Sequence, residues 1–377
     1  MKAIAILNYI PSNRLDFLAL KTGVDYKAKK LNGVTLFQLM LYSMITVKHN
    51  SLRVMEEVFS SFTFKKISNK SKSDSIKYNS ISDRLKAMDS LFFEKIYEDC
   101  CKRFNKYLDN SNTILYDSTL ISVSSKLIDY GFRCGGHKGI KKQIKFTIGL
   151  TTIPIYKAFF YDPVYNSEDI ALKSAILDCI HSKEKIVVFD RGIQSRATYD
   201  EFSEKEILFV TRLKSTARYT ILKSLAMNNK QNDQRIKITS DSQIELYGKS
   251  HAPTKSFLRR IVAQSVETDS ELIFLTNIKD MEPIEVANIY KKRWDIEVFF
   301  KFLKQELNLS HLISRDLNGI KTVLYITLIL AILLTVYKKE NKLKGYKIPK
   351  LKFSQEIEYE LMIQIIKMCD GDPSKIP

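Results

Sequence analysis

The sequence contains few of the residues that break secondary structure and few that crosslink a fold. Its 377 residues include only 12 glycines and 8 prolines, which excludes a collagen-like chain and other low-complexity classes. The five cysteines form no C-x-x-C pair, so neither a zinc site nor a disulfide framework is indicated, and scattered thiols are typical of a reducing cytoplasm. We therefore expect an ordered, cytoplasmic protein of more than one domain.

Long hydrophobic runs are also rare. The longest is VLYITLILAILLTVY at residues 323–337, which is shorter than the roughly 20 apolar residues of a membrane-spanning helix. The N-terminal stretch MKAIAILNYIPSNRLD is interrupted by Asn8 and Pro11, so it does not match a signal peptide. We therefore predict that residues 323–337 form a buried core helix, and that the protein has no membrane partner.

Acidic residues are outnumbered by basic ones. Lys and Arg total 60 and Asp and Glu total 42, which gives a net charge of +18 and favours polyanionic partners such as nucleic acid. The alternative is a surface that is basic without any such partner. The same two interpretations stay open for the lysine-rich segments at 65–77 and 338–352.

The apolar spacing divides the chain into parts with different predicted structure. Residues 34–107 repeat apolar positions every three to four residues, which predicts helices. From Thr113 onward, short β-branched runs and helical segments predict strand-strand-strand-helix-strand-helix-strand, a mixed sheet with helices packed on it. Short strands follow at 214–278, and the predicted ones are QRIKITS, SQIELYG, LRRIVAQSV and ELIFLTNI. After Pro283, which suits a first helical turn, one long helix is predicted to reach about Leu307.

One face of this last helix is polar and carries Tyr290, Arg293, Glu297 and Lys304. At about 100° per residue these four side chains fall within a sector of roughly 60°. A helix that is apolar elsewhere must direct such a stripe at something polar. The alternative is an intrahelical ladder in which Arg293 and Glu297 pair at i and i+4, and the periodicity leaves both interpretations open.

Two aspartates stand at the ends of apolar strands, Asp117 in ILYDST and Asp190 in VVFDRG. Burying an unpaired carboxylate is costly, so each needs a partner or a metal, although Asp at a strand end also caps turns. With Glu297 they form an oxygen-only ligand set suited to Mg²⁺ or Mn²⁺. Two such ions about 4 Å apart activate a water or a 3′-hydroxyl and stabilise the leaving oxygen of a phosphodiester.

The segment YKKRWDIEVFFKFLK at 290–304 matches Y-x2-R-x3-E-x6-K without a gap. This signature resembles that of DDE transposases of the insertion-sequence-four group, the cut-and-paste bacterial elements. LYDST resembles the first-Asp strand of that family, and FDRGI followed by EILFVTRLK resembles its second-Asp strand and the next one. The β-rich stretch before Glu297 resembles the family's inserted domain, and the resemblance covers residues 110–340.

The resemblance implies a ribonuclease-H-like catalytic core in which Asp117, Asp190 and Glu297 bind Mg²⁺ or Mn²⁺, as a pair of ions. The fold class expected is therefore a multidomain α/β protein. Its predicted parts are a helical N-terminal domain for DNA-end binding or dimer contacts (1–108), the first part of the core (109–213), the β-rich insertion (214–278), the second part of the core (279–340) and a basic C-terminal tail (341–377).

The same resemblance implies a set of DNA contacts. Tyr290, Arg293 and Lys304 are expected to contact phosphates near the transposon end, and to steady a flipped base if a hairpin intermediate forms. Arg191 either contacts a phosphate or pairs structurally. Trp294 either stacks on a base or packs in the core.

The function implied is that of a DNA transposase, which hydrolyses phosphodiester bonds at the inverted-repeat ends of an insertion sequence and transfers the 3′ ends into target DNA. We expect a homodimer on double-stranded DNA, a nucleoid-associated location in a bacterial cytoplasm and no nucleotide cofactor. Two alternatives stay open, an inactive DNA-binding protein derived from a transposase and a nuclease without strand transfer. Asp162 and Asp169 are alternative metal ligands.

Overall fold

Helices and strands fall into separate parts of a computed structural model of the chain. The structure describes residues 2–8, 10–104, 112–123, 131–134, 141–179, 185–226, 235–248, 252–309 and 312–375. It divides into two units. The helical unit comprises Met1–Leu108, Ser122–Asp129 and Lys301–Pro377, and the sheet unit comprises Asp109–Ile121 and Tyr130–Phe300. The finer domain boundaries expected from the sequence stay a prediction.

The helices described run in chain order as follows: α1 Ala3–Leu7, α2 Ser12–Thr22, α3 Gly33–Thr46, α4 Leu52–Ser60, α5 Phe62–Ile67, α6 Tyr78–Ala87, α7 Leu91–Phe104, α8 Glu168–Asp178, α9 Arg196–Glu204, α10 Pro283–Lys291, α11 Trp294–Gln305, α12 Leu317–Glu340 and α13 Lys347–Met368. The strands described are β1 Thr113–Val123, β2 Phe132–Cys134, β3 Lys141–Leu150, β4 Pro154–Phe160, β5 Ile186–Val188, β6 Leu208–Arg212, β7 Tyr219–Ser224, β8 Ile236–Leu246, β9 Leu258–Ser265 and β10 Glu271–Thr276.

The core of the helical unit is formed around α12. Every residue from 322 to 337 is buried. The hydroxyl of the buried Thr327 donates a hydrogen bond to the carbonyl of Val323 in the same helix. Among the described residues, α12 is the one helix long and apolar enough to cross a membrane by length and composition. A buried core helix has the same properties, and this is the structure predicted for residues 323–337.

The segment expected as a basic C-terminal tail contains a long helix, α13. Its residues Phe353, Ile357 and Leu361 are buried, and the Phe353 ring packs edge-on against Tyr337 of α12, with ring centroids 5.1 Å apart. Four lysines of this segment, Lys347, Lys350, Lys352 and Lys367, therefore lie on a packed helix of the helical unit.

The sheet unit is built on one mixed sheet of ten strands. Its order is β2-β3-β1-β5-β6-β10-β9-β8-β7, and β4 also pairs with β3. Strands β1, β5 and β6 are parallel, while β10 joins β6 in antiparallel fashion. Apolar residues of α8 and α9, among them Leu172 and Tyr199, pack with Tyr116 and Phe209 of the sheet to form its core.

The β-rich segment at 214–278 continues this sheet through the pairing of β10 with β6. The stretches QRIKITS and SQIELYG, predicted as two strands, form the single strand β8, with an irregularity between Ile238 and Ser240. Strands β7 and β2 were not predicted.

The prediction of a single long helix from Pro283 to about Leu307 is wrong, because the structure has two helices in this range, α10 and α11. Between them the amides of Lys292, Arg293 and Asp295 bond to carbonyls three residues back instead of four. This one tight turn contains neither Gly nor Pro, so apolar spacing gives no sign of the break.

Candidate active site

Asp117 and Asp190 lie at the same level of two adjacent parallel strands. In the register of β1 and β5, Leu115 pairs with Val188, and each aspartate follows two residues later. Residues two apart on an extended chain share a face, and neighbouring strands lie about 4.8 Å apart. Two apolar runs that each end in Asp therefore bring both carboxylates together where β5 ends.

Asp117 lies in an electrostatically unfavourable place for a carboxylate. Its Oδ1 accepts the backbone N–H of Ser118 at 2.8 Å. Burial raises its pKa to about 6, and the charges of Glu168 and Asp190 add to this effect, while Ser118 and Arg293 oppose it. Crowded carboxylates that repel each other in this way are stabilised by a cation.

Asp190 has more hydrogen-bond donors around it. The hydroxyl of Tyr290 donates to its Oδ1 at 3.0 Å, and Nε of Arg191 lies 3.9 Å from the same oxygen. Burial raises the pKa of Asp190, but the backbone N–H of Arg191, the charge of Arg293 and the Tyr290 hydroxyl together lower it below its ordinary value. Asp190 is thus held ionised beside Asp117.

Arg293 links the tight turn to Glu297. Its Nη2 donates to Oε1 of Glu297 at 2.5 Å, and its guanidinium carbon lies 5.8 Å from the centre of the Tyr290 ring. Burial lowers the pKa of Arg293, but the hydrogen bond to Glu297 and the charges nearby raise it overall. The i, i+4 pair that the spacing allowed is therefore formed, although it joins the turn to α11 and does not lie within one helix. The charge of Arg293 also acts on the two aspartates.

Tyr290 is fixed by its ring as well as by its hydroxyl. The ring packs against Phe274 of β10 with centroids 5.4 Å apart. Burial and the charge of Asp190 raise the pKa of Tyr290, so it remains a phenol and a donor. The break between α10 and α11 falls between Tyr290 and Glu297, yet both still contact the same small group of charges.

The other predicted DNA contacts are Trp294, Arg191 and Lys304. Trp294 is 62% exposed, so it does not pack in the core. The Arg191 side chain is 46% exposed and close enough to Asp190 for a loose ion pair. Lys304 lies further along α11, in the part of that helix that belongs to the helical unit.

The metal triad is not preassembled. Among the described residues, no three His, Cys, Asp or Glu side chains are grouped so that they could hold a metal ion, and Glu297 is bonded to Arg293 instead. The donor chemistry nevertheless fits Mg²⁺ or Mn²⁺, because it is oxygen-only and Asp117 is destabilised by neighbouring carboxylates. The triad stays a prediction.

The alternative ligands Asp162 and Asp169 are occupied by backbone amides. Asp162 accepts the N–H of Val164, and one oxygen of Asp169 accepts those of Gln194 and Ser195. Both carboxylates therefore act as caps of local turns.

A neighbouring carboxylate, Glu168, was not predicted from the sequence. It lies beside Asp169 at the start of α8, and its Oε1 is 2.9 Å from Nζ of Lys145. Lys145 alternates with apolar residues in KKQIKFTIG, a pattern typical of a strand with one solvated face, so its burial could not be predicted.

Comparison with known proteins shows similarity to transposases. A family model described as the transposase DDE domain matches residues 110–334. Relatives described as transposases include y4zB of Sinorhizobium fredii strain NGR234, 25% identical over 156 residues, which are 41% of this chain and 43% of that protein. Another relative, described as a probable transposase for insertion sequence element IS5377 of Geobacillus stearothermophilus, is 24% identical over 220 residues. These residues are 58% of this chain and 54% of that protein.

A third relative, described as a transposase for insertion sequence element IS4SA of Synechocystis, is 26% identical over 254 residues, 63% of this chain and 64% of that protein. The chain thus spans between 43% and 64% of the length of these relatives. A cryo-EM structure of the piggyBac transposase synaptic complex with hairpin DNA is similar with a TM-score of 0.47 at 10% identity, over 100% of this chain and 83% of that one.

Proposed function

Since this chain belongs to the family of transposase DDE domains, whose model covers more than half of it, we propose that it is a DNA transposase. It hydrolyses phosphodiester bonds at the inverted-repeat ends of an insertion sequence and transfers the freed 3′ ends into target DNA. One observation carries the proposal. Asp117 and Asp190 stand level on adjacent strands, and Tyr290 and Arg293 connect them to Glu297.

The residues that would hold the divalent ions are Asp117, Asp190 and Glu297. When bound, two Mg²⁺ or Mn²⁺ ions supply an activated nucleophile and stabilise the charge of the leaving oxygen. Glu297 is able to take part because its side chain is 37% exposed and because Arg293 is its one hydrogen-bond donor among the residues that the structure describes. Tyr290 orients Asp190 by donating to Oδ1, which leaves Oδ2 available as a ligand.

Arg293 has the properties of a residue that changes partner. Its Nε is buried and has no hydrogen-bond partner within the described residues, while Nη2 bonds to Glu297. An unused guanidinium donor is costly when buried, and a phosphate oxygen satisfies it with good geometry. Arg293 therefore neutralises the carboxylates before DNA binds, and then binds a backbone phosphate when Glu297 turns to the metal site.

The exposed neighbours extend the proposed DNA contact. Trp294 presents most of its ring to solvent, as base stacking requires. Arg191 is half exposed beside Asp190 and reaches a phosphate next to the scissile bond, and Lys304 contacts the backbone from α11. The net charge of +18 supports double-stranded DNA as the partner.

The wider architecture belongs to the same proposal. The strand order β4-β3-β1-β5-β6, parallel from β1 to β6, supports a ribonuclease-H-like core. Because two transposon ends must be cut together, the protein acts as a homodimer on DNA, in the cytoplasm and associated with the nucleoid. Phosphate contacts make its affinity fall steeply between about 50 and about 200 mM salt.

The decisive experiment is cleavage of a labelled duplex carrying the element's own end, with Mg²⁺. The variants are Asp190→Asn and Glu297→Gln, and the matched control is Glu204→Gln, which removes an exposed carboxylate from the same unit. We expect the first two to bind the DNA without cutting it and the control to cut like wild type. If Asp190→Asn and Glu297→Gln cut as fast as wild type, the catalytic site lies elsewhere.

A second assay separates transposition from its alternatives. A pre-cut end with a free 3′-hydroxyl is offered together with target DNA, and strand joining is measured. Joining that depends on Asp190 supports the transposase. Cleavage without joining identifies a nuclease, and binding without either reaction identifies an inactive DNA-binding protein.

A further inference from the structure

Lys145 is a buried lysine in the middle of β3. Its side chain is 2% exposed, and Nζ contacts Oε1 of Glu168 at 2.9 Å and donates to the carbonyl of Asn166 at 2.8 Å. Burying an ammonium group is costly unless it is paired and hydrogen-bonded. These two contacts therefore fix the start of α8, and Glu168 with it, against the sheet.

Glu168 uses only one of its two oxygens in this pair. Oε1 is held by Lys145, whereas Oε2 is buried and has no hydrogen-bond partner among the described residues. A buried acceptor without a donor is costly. A carboxylate with one oxygen fixed and the other unsatisfied has the geometry and chemistry of a ligand for a hard cation.

Glu168 packs directly against the turn that follows Asp190. A Cβ atom added to Gly192 would lie 3.0 Å from Cβ of Glu168 and 3.0 Å from Cδ1 of Leu172. The amide of Gly192 in turn donates to the carbonyl of Asp190 at 2.7 Å. A side chain at position 192 would therefore force α8 or this turn to move by a few tenths of an ångström. The charge of Glu168 is near enough to contribute to the raised pKa of Asp117.

We propose that Glu168 is a fourth carboxylate of the catalytic centre, which binds a divalent cation through Oε2, and that Lys145 is the positioning residue that holds Oε1. This inference rests on the proposed function, because it assumes that Asp117 and Asp190 bind the cation.

A purely structural role for Glu168 makes a different prediction. A carboxylate in the first turn of α8 stabilises that helix terminus, and its pairing with Lys145 stabilises the packing of α8. If this were its whole role, removing the charge would lower the melting temperature of the metal-free protein and leave cation binding unchanged.

The test is Mn²⁺ binding to the full chain without DNA, measured as loss of the EPR signal of free Mn²⁺. The variants are Glu168→Gln, which keeps the shape of the side chain, and Glu168→Asp, which keeps its charge but shortens it. Glu204→Gln is the control, because Glu204 is an exposed carboxylate in the same cleft. We expect Glu168→Gln to weaken binding at least about tenfold, Glu168→Asp to be intermediate, and Glu204→Gln to match wild type.

Mn²⁺ binding to Glu168→Gln within about twofold of wild type overturns the proposal. If Glu168→Gln does not fold, the double variant Lys145→Met with Glu168→Gln also removes the buried ammonium group, so that Lys145 is not left without its counter-charge. It is expected to bind Mn²⁺ as weakly as the single variant.

Asp190→Asn, measured in the same series, separates the two proposals. If Asp190→Asn binds Mn²⁺ weakly and Glu168→Gln binds it normally, only the proposal that Glu168 is a metal ligand is contradicted. If both variants bind Mn²⁺ normally, the proposed metal centre itself is contradicted.

Discussion

Two arginine–carboxylate pairs in the sheet unit differ in how completely their polar atoms are used. On β9, Arg259 donates from Nε and Nη2 to both oxygens of Asp241 on β8, and from Nη1 to the carbonyls of Lys279 and Met281. The two side chains are 5% and 1% exposed. This pair is saturated, and it anchors the segment that leads into α10.

The pair of Arg293 and Glu297 is unsaturated. One hydrogen bond from Nη2 joins them, the buried Nε of Arg293 has no partner in the described part of the chain, and Glu297 is 37% exposed. An arginine–carboxylate pair can therefore either anchor the fold or exchange its partners. A saturated pair cannot exchange partners without leaving a buried charge, whereas an unsaturated pair next to other charges is able to do so.

The largest expected effect comes from breaking the saturated pair. Asp241→Asn leaves the buried guanidinium of Arg259 without its counter-charge, which is expected to cost about 3–5 kcal/mol of unfolding free energy. Urea unfolding followed by circular dichroism measures this. The double variant Asp241→Leu with Arg259→Met is the control, since removal of both charges is expected to restore most of the loss. A loss below about 1 kcal/mol for Asp241→Asn, typical of a surface pair, would contradict the comparison.

The residues around these two pairs show that local features can be predicted from the sequence and that contacts between distant residues cannot. The apolar runs before Asp117 and Asp190, and the spacing of Tyr290, Arg293 and Glu297, are local patterns, and the register of β1 with β5 and the contacts of Tyr290 and Arg293 agree with them. The prediction that Asp117 ends its strand is wrong, because β1 continues to Val123. Arg293 lies beside the Tyr290 ring and bonds to Glu297 although the helix is broken.

Non-local partners account for what the sequence pattern missed. Asp241 stands between two predicted strands, yet it lies buried within β8 because Arg259 reaches it from β9. Lys145 is buried in β3 because α8 supplies Glu168. A charged residue in a strand is ordinarily expected on a solvated face, and only the position of its partner, distant in sequence, reverses that expectation.

The second prediction concerns the unsaturated pair. Arg293→Gln removes the donor proposed to bind a phosphate, so end cleavage is expected to slow by about 10²–10³. Unfolding free energy is expected to fall by no more than about 3 kcal/mol, because one hydrogen bond to a charged group is lost. Single-turnover cleavage and urea unfolding report the two effects. Arg293→Lys keeps the charge without the planar fork and is expected to fall between wild type and Arg293→Gln. Large destabilisation with unchanged cleavage would make this pair structural, like that of Arg259.

The third prediction compares Asp117 with Asp241. Because burial raises the pKa of Asp117 to about 6, its ionised form destabilises the metal-free fold above that pH. Asp117→Asn is therefore expected to increase unfolding free energy by about 1–3 kcal/mol at pH 7.5 in EDTA. The gain shrinks as pH falls through 6 and is lost below about pH 3, where the Asp117 carboxyl is protonated in both the folded and the unfolded state. Destabilisation at pH 7.5, as expected for Asp241→Asn, would show that Asp117 has a partner of its own.

The smallest expected effect is that of Tyr290→Phe, which removes a single hydrogen bond next to the unsaturated pair. The ring keeps its packing on Phe274, and only the bond from the hydroxyl to Asp190 is lost, so unfolding free energy is expected to fall by about 0.5–1.5 kcal/mol. Mn²⁺ binding measured by EPR is expected to weaken by about tenfold, the low end for a residue that orients a metal ligand without being one. A loss of stability as large as that of Asp241→Asn would mean that Tyr290 holds the fold, as Arg259 does. Unchanged Mn²⁺ affinity would instead mean that Asp190 keeps its orientation without this hydroxyl.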